Sequence, residues 1–194
     1  MSHRVIAGQA KGRRLRQVPG NSTRPIMDRA KEALFNILGD AAWEAQVLDL
    51  FGGSGAVGIE ALSRGASWVT FVDNDREAVR TMHENLRLTH FTDAAEVLHM
   101  DAFDFLRRKP AEPYSLVYVA PPQYQSLWKR ALLTLDAQQD LLEPDALVIV
   151  QIDPQEKETL TLDNLFAYDE RTYGNTLLWF FEYDAVGADD EPTA

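Results

Sequence analysis

One run of residues restricts the fold more than any other: Val47-Leu48-Asp49-Leu50-Phe51, followed directly by Gly52-Gly53-Ser54-Gly55-Ala56-Val57-Gly58. A short apolar run of this kind reads as a buried strand. Glycines straight after it let the backbone turn sharply and approach a ligand closely. Residues 56–64 then read as a helix, whose first amides are open to an anion such as a carboxylate. Strand, glycine loop and helix in this order open a parallel β–α–β unit, which belongs in a layered α/β sheet.

The rest of the chain keeps the alternation. Strands are expected at 68–72, 95–99, 116–119 and 147–152, with helices at 75–88, 103–107 and 127–135. A helix is also expected at 27–38, where Ala30, Leu34, Phe35 and Leu38 give an apolar stripe. Asn74 and Glu77 have the spacing of a capping pair for the 75–88 helix. The last two apolar runs, 165–170 and 176–183, have no helical spacer between them, so they should pair antiparallel. The expectation is a single α/β domain over residues 1–183, its mostly parallel sheet covered on both faces, with an acidic tail at 184–194.

Acidic residues stand at the strand ends around the glycine loop. Asp73 ends the second expected strand, 20 residues after Gly53, a spacing that suits a carboxylate accepting ribose hydroxyls. Asn74 follows it, and Asp101-Ala102 ends a third strand. Dinucleotide enzymes and S-adenosylmethionine enzymes both use this plan. Asp49 before the loop and Asp101 favour the second. A tight structural turn with acidic helix caps is the plainer alternative.

Charge is unevenly distributed. Residues 1–31 carry eight basic side chains against one acidic, +7, which leaves −18 on the remainder of a chain whose net charge is −11. A basic arm on an acidic body points to one defined contact with a polyanion rather than general attraction to nucleic acid. Residues 4–18 read as a β-hairpin that would display the basic residues, followed by a loop at 19–25. The chain has no cysteine, which excludes disulfides, thiolate metal sites and cysteine nucleophiles. His3, His83, His90 and His99 lack paired metal spacing and read as surface or strand-end residues, so no metal is expected. No apolar stretch is long enough to span a membrane and no secretion signal is apparent, which favours the cytoplasm.

After the strand at 116–119 comes Ala120-Pro121-Pro122-Gln123-Tyr124. Two prolines fix two φ angles and remove two donors, and each pushes the residue before it to an extended conformation. The result is a stiff turn with carbonyls free to accept and an aromatic ring beyond, suited to a planar base bearing an amino group. The plainer alternative is a rigid loop whose Tyr124 packs into the core. Trp128 follows closely, either lining the substrate entrance or packing in the core.

Together these residues resemble the RsmD-type 16S rRNA guanine-N2 methyltransferases of the class I S-adenosylmethionine-dependent enzymes. The resemblance rests on Arg4-Val5-Ile6-Ala7-Gly8 with Lys11-Gly12-Arg13-Arg14-Leu15, on Thr23-Arg24-Pro25 with Asp28-Arg29, on Asp49 through Gly55 with Gly58 through Ala66, and on Tyr173-Gly174-Asn175-Thr176. It implies a Rossmann-like fold with a seven-stranded sheet and an antiparallel last strand. It further implies S-adenosylmethionine as cofactor, with Asp49, Phe51 and the Gly52–Gly58 loop (Gly52, Gly53, Ser54, Gly55, Gly58) at its methionine part. Asp73 and Asn74 would lie at the ribose, and Asp101 with Ala102 beside the adenine. Arg4, Lys11, Arg13, Arg14, Arg16 and Arg24 would hold rRNA phosphates, the partner being small-subunit rRNA or the assembling small subunit; apart from the resemblance, a monomer is the favoured state.

The chain departs from the family at one place. An Asp or Asn normally precedes the Pro-Pro pair, where it accepts a hydrogen bond from the target amine. Here the position is Ala120. Main-chain carbonyls at Ala120 and Pro121 remain, and the Gln123 amide is the expected substitute for the lost side chain, with Tyr124 stacking on an extruded base. Two rivals follow: a methyltransferase acting on another planar amine (adenine N6 in DNA, or a protein glutamine), and a non-catalytic rRNA-binding or assembly protein with a decayed site.

Overall fold

Alternating apolar runs and amphipathic segments leave a chain little choice but to stack strands side by side and cover them with helices. The computed structural model describes residues 3–20 and 26–184, and shows that arrangement. Five helices, α1 (Asp28–Leu38), α2 (Ala56–Ser63), α3 (Arg76–Thr89), α4 (Ala102–Leu106) and α5 (Leu127–Ala137), flank one sheet. Its strands are β1 (Gln46–Leu50), β2 (Trp68–Asp73), β3 (Ala95–His99), β4 (Tyr114–Val119), β5 (Leu142–Ile152), β6 (Leu165–Tyr173) and β7 (Thr176–Tyr183). The spatial order is β3-β2-β1-β4-β5-β7-β6. The first five are parallel, and β7 runs antiparallel to both β5 and β6. β6 and β7 form a hairpin because only Gly174, at φ +62°, and Asn175 separate them.

The sheet divides the core. Leu48, Val117 and Val148 face α4 and α5 in one apolar cluster, while Val47, Leu116, Tyr118 and Ile149 face α1 and α2 in another. Trp128 is buried in the first cluster beside Trp179, ring centroids 6.0 Å apart, so it packs the core and does not line an entrance. Expected boundaries hold to within a residue or two for most elements. β5 is longer, starting at Leu142, where its pairing with β4 is offset between Tyr114 and Leu116. The α3 cap is Asp75 rather than Asn74: its carboxylate accepts the Glu77 N–H at 2.9 Å.

The N-terminal segment keeps a short form of the expected hairpin. Arg4 bridges Arg14 in antiparallel sense, with Val5 N–H donating to the Arg13 carbonyl at 2.9 Å, Gly12 N–H to Val5 at 2.9 Å and Leu15 N–H to His3 at 2.7 Å, a pairing shorter than the expected 4–18 ribbon. Val5, Ala10 and Leu15 are buried, so the segment is pinned to the body along its length. Gly8, at φ +78°, lies so close to α2 that a Cβ would stand 1.7 Å from the Ser63 carbonyl oxygen. Residues 185–194 of the expected tail lie outside the described residues.

Candidate active site

Strand order reverses between β1 and β4: the chain winds outward through β2 and β3, then returns to the other side of β1. At such a switch point the loops leaving neighbouring strands diverge and open a crevice at the carboxyl ends. A cleft of about 720 Å³ lies there.

The β1 side is the glycine loop. Phe51, Gly53 and Gly55 all have positive φ, which folds the loop back beneath the strand ends. The N–H groups of Phe51 and Gly52 both donate to the Val72 carbonyl, each at 3.0 Å. Asp73 holds the loop from β2, its Oδ2 accepting from Gly53 N–H and its Oδ1 from Asp75 N–H, both at 2.8 Å. Each oxygen keeps a further lone pair. Burial raises the Asp73 pKa above the ordinary carboxylate value, partly offset by these bonds. Gly58 lies inside α2 against Phe71, where a Cβ would sit 2.3 Å from the ring.

Asp49 is the site's least expected electrostatic feature. It is 2% exposed, and among the described residues it forms no ion pair. One oxygen accepts the Gly58 N–H at 3.0 Å. Burial pushes its pKa up to about 7, against that hydrogen bond and helped by the nearby Asp73 charge. A buried carboxylate without a cation is costly. This one faces a cleft, where a cationic ligand group could pair with it.

The opposite side is the Pro-Pro turn. Ala120 is half-buried, Pro121 buried and Pro122 exposed. Tyr124 is 66% exposed, which excludes packing in the core. Its backbone, at φ +60°, is anchored where its N–H donates to Glu156 Oε1 at 2.7 Å. Ala120 through Gln123 line the cleft, and Tyr124 stands just beyond.

Not every expected residue arrives there. Asp49, Phe51, Gly52, Ser54, Asp73 and Asn74 line the cleft, while Gly53, Gly55 and Gly58 shape the loop behind it. Asp101 caps α4, accepting from Phe103 and Asp104, and neither it nor the buried Ala102 lines the cleft. Lining residues that escaped the sequence reading include Gln17, Val18, Ile26, Tyr118 and Gln151, and the last two stand beside Ala120. Tyr118 lies two residues before Ala120 and so shares its face of β4. Gln151 is the one polar residue in the apolar run 147–152. Either fact could have drawn notice to them.

The N-terminal segment braces this site and, at Gln17, Val18 and Gly20, lines part of the cleft. His3, expected at the surface, is buried, and its Nε2 lies 2.7 Å from Ser54 Oγ. Burial, with Lys31 nearby, lowers its pKa to about 4, so it is neutral around pH 7. Fully buried Asn85 accepts the Arg16 N–H at 2.7 Å and donates to the carbonyls of Arg16 and Ser54 at 3.0 and 2.8 Å. Buried Glu60 accepts from Ile6 and Ala7 N–H at 2.8 and 2.9 Å and pairs with Lys31 at 3.3 Å and Arg64 at 3.0 Å. Lys31 is therefore consumed inside the protein. Lys11, Arg13 and Arg14 are exposed and unpaired among the described residues, whereas Arg4 pairs with Asp28 and Arg16 with Glu84. Arg24 lies outside the described residues.

Among the described residues no cluster could hold a metal ion, and no helix is long and apolar enough to cross a membrane. Sheet order, glycine loop and cleft together define a Rossmann-like class I methyltransferase fold. The chain belongs to the RsmD-type family: the model for Conserved hypothetical protein 95 matches residues 3–182. Ribosomal RNA small subunit methyltransferase D of Haemophilus influenzae is 35% identical over 173 residues, covering 88% of this chain and 89% of that protein. The solved structure of yhhF from Escherichia coli superposes with a TM-score of 0.85 at 32% identity, covering 95% of this chain and 99% of the other. At 14% identity, an RNA methyltransferase from Salinibacter ruber, solved with S-adenosyl-L-homocysteine, shares the fold with a TM-score of 0.65, covering 86% of this chain and 98% of the other.

Proposed function

We propose that this protein is a cytoplasmic S-adenosylmethionine-dependent RNA methyltransferase that modifies the exocyclic N2 amine of a guanine in small-subunit rRNA, with residues 1–183 acting as one unit and as a monomer. The observation that carries the reading is Asp49: a buried carboxylate paired with no cation among the described residues, facing a cleft that ends in a stiff turn and an exposed aromatic ring.

The residues present fit the donor. Asp49 suits its amine, and the first-turn amides of α2 at Ala56 and Val57, which line the cleft, suit its carboxylate. Asp73 has lone pairs left for ribose hydroxyls. Phe51 lines the cleft beside the glycine loop and Asn74 follows Asp73 at the ribose, while Asp101 with Ala102 is assigned to the adenine side on the family resemblance alone. When bound, S-adenosylmethionine supplies a strongly electrophilic methyl group, so little covalent chemistry is left to the protein. The turn's task is to hold the acceptor: the carbonyls of Ala120 and Pro121 and the Gln123 amide offer acceptors to amine hydrogens, and Tyr124 offers a stacking surface for an extruded base. Lys11, Arg13 and Arg14, with Arg4, Arg16 and Arg24, grip phosphates and fix register. The relatives named for small-subunit rRNA methylation support this acceptor.

The test is to incubate the protein with labelled S-adenosylmethionine and unmodified small subunits, naked rRNA, DNA or protein, and to map the label. We expect methylguanine in the small-subunit RNA. Label confined to DNA adenine or to protein overturns the acceptor, and cofactor binding without transfer to any acceptor overturns the enzyme.

A further inference from the structure

The turn lacks the side chain that would meet the target amine, and the neighbouring strand supplies a polar group at the same level. β4 and β5 are paired in register through Val119 and Val150. One residue further along each strand come Ala120 and Gln151. In-register residues of parallel strands share a face, so Gln151 stands beside the missing side chain. Tyr118, on that face too, is opposite Asp49 across β1 and β4. All four residues line the cleft.

The Gln151 side chain is held. The Tyr118 hydroxyl donates to its Oε1. Tyr118 is only 4% exposed, and burial, with Asp49 nearby, raises its pKa well above the usual phenol value, so the hydroxyl keeps its proton and remains a donor. With the oxygen fixed, the amide plane is oriented. Gln151 Nε2 has no protein partner among the described residues and carries two N–H donors. Oε1 keeps a second lone pair. The amide therefore offers a donor and an acceptor side by side.

We propose that Gln151, oriented by Tyr118, is a substrate-positioning residue that makes the base contact Ala120 cannot make. The inference rests on the reading of the cleft as a methyl-donor and base site. A planar amide matches an exocyclic amine flanked by a ring nitrogen. Guanine presents N2–H and N3 on one edge, and Oε1 can accept from the first while Nε2–H donates to the second. Gln123, three residues past Ala120 on the turn, also lines the cleft, but no strand register sets it beside Ala120.

The test uses the full chain with unmodified small subunits. Kinetics of methyl transfer, S-adenosylmethionine affinity by calorimetry and melting temperature are measured for Gln151→Ala, Tyr118→Phe, Gln123→Ala, and Gln151→Ala combined with Ala120→Asp. We expect Gln151→Ala to lower kcat by about 10²-fold, as removal of a preorganised polar group at a reacting centre does, with cofactor affinity and melting temperature unchanged. Tyr118→Phe should lower kcat several-fold, because the amide persists but loses its orientation. Ala120→Asp should restore at least part of the loss, which a structural role for Gln151 would not allow. A wild-type kcat in Gln151→Ala overturns the inference alone, and so does an equal loss of cofactor affinity, which would place Gln151 at the donor. A loss confined to Gln123→Ala overturns it likewise. A wild-type protein that methylates no acceptor takes the proposed function and this inference down together.

Discussion

The two walls of the cleft are built on different principles. The donor wall is stitched from behind. Its glycine loop is tied to β2 through Asp73, to α3 through Asn85 and to the N-terminal segment through His3, and each tie is a hydrogen bond of 2.7–3.0 Å. The acceptor wall is a proline-stiffened turn with one ring in solvent, anchored through Tyr124 N–H to Glu156. A donor common to many enzymes rewards a rigid, over-determined cradle. An acceptor that must be splayed out of RNA needs an open wall with few contacts, each aimed at the base. Substitutions on the first wall should therefore cost stability or cofactor affinity, and those on the second should cost turnover.

The largest effect is expected at Glu60. Its buried carboxylate serves two part-buried backbone N–H groups together with the buried Lys31 and the partly exposed Arg64. Glu60→Ala leaves the buried Lys31 ammonium unpaired, although the Arg4 carbonyl still accepts from it at 2.7 Å. Removing one partner of a buried pair costs about 3–5 kcal/mol. Urea denaturation should show that loss, together with release of the N-terminal segment to protease. A change below 1 kcal/mol would mean the segment is not wired to the donor wall in this way.

Asp49 sharpens the contrast through pH. Its folded pKa of about 7 exceeds the model-compound value of 3.8, so the folded apo-protein takes up a proton that the unfolded chain does not. The associated stability is full below pH 3.8 and is lost as pH rises through 7. Ligand binding runs the other way, because a cationic amine needs the carboxylate charged. Affinity for S-adenosylmethionine should rise between pH 6 and 8 and level off above, while Asp49→Asn should bind weakly with no such slope. His3 has the opposite sign. Its folded pKa of about 4 lies below 6.5, so its contribution is present above pH 6.5 and lost as pH falls through 4. A pH-independent affinity in the wild type would show that Asp49 does not meet the amine.

Tyr124 tests the other wall. Its ring is 66% exposed, so Tyr124→Ala should leave the melting temperature in place. If the ring stacks on a base, acceptor binding should weaken by about 1–3 kcal/mol, seen as a raised KM for small subunits at constant cofactor affinity. Lost stability with unchanged KM would make the two walls alike.

The unequal construction also explains what could be read from the chain. Alternating apolar runs, the glycine loop and Asp73 disclose the sheet and the donor wall, because each depends on local spacing. Contacts between residues 51–69 apart in the chain left no local trace: His3 with Ser54, Ile6 with Glu60, Arg16 with Asn85. The hairpin was legible but its docking was not: Val5 and Leu15 keep backbone bonds across the turn, to Arg13 and His3, yet with Ala10 they are buried on the body. Asp101 was legible as an acidic strand end, but its Oδ1 caps the α4 amides and it does not line the cleft. Gln151 was hidden because its relation to Ala120 exists only once β4 and β5 are in register.

The smallest effect separates the exposed cations from the engaged ones. Residues 1–31 read as +7 in sequence, yet Lys31 is internal, Arg4 pairs with Asp28 of the same stretch and Arg16 with Glu84 on the body. Lys11, Arg13 and Arg14 remain exposed and unpaired among the described residues. Each cation that neutralises a phosphate should contribute about 0.7–0.9 to the slope of log affinity against log salt. Arg13→Ala and Arg14→Ala should each reduce that slope by roughly this amount, with cofactor affinity unchanged in the absence of RNA. Arg4→Ala should reduce it less, because the side chain is shared with Asp28 at 3.5 Å. Equal reductions for all three arginines would mean that RNA strips Arg4 from Asp28, making the segment's charge one unit larger in the complex than in the free protein.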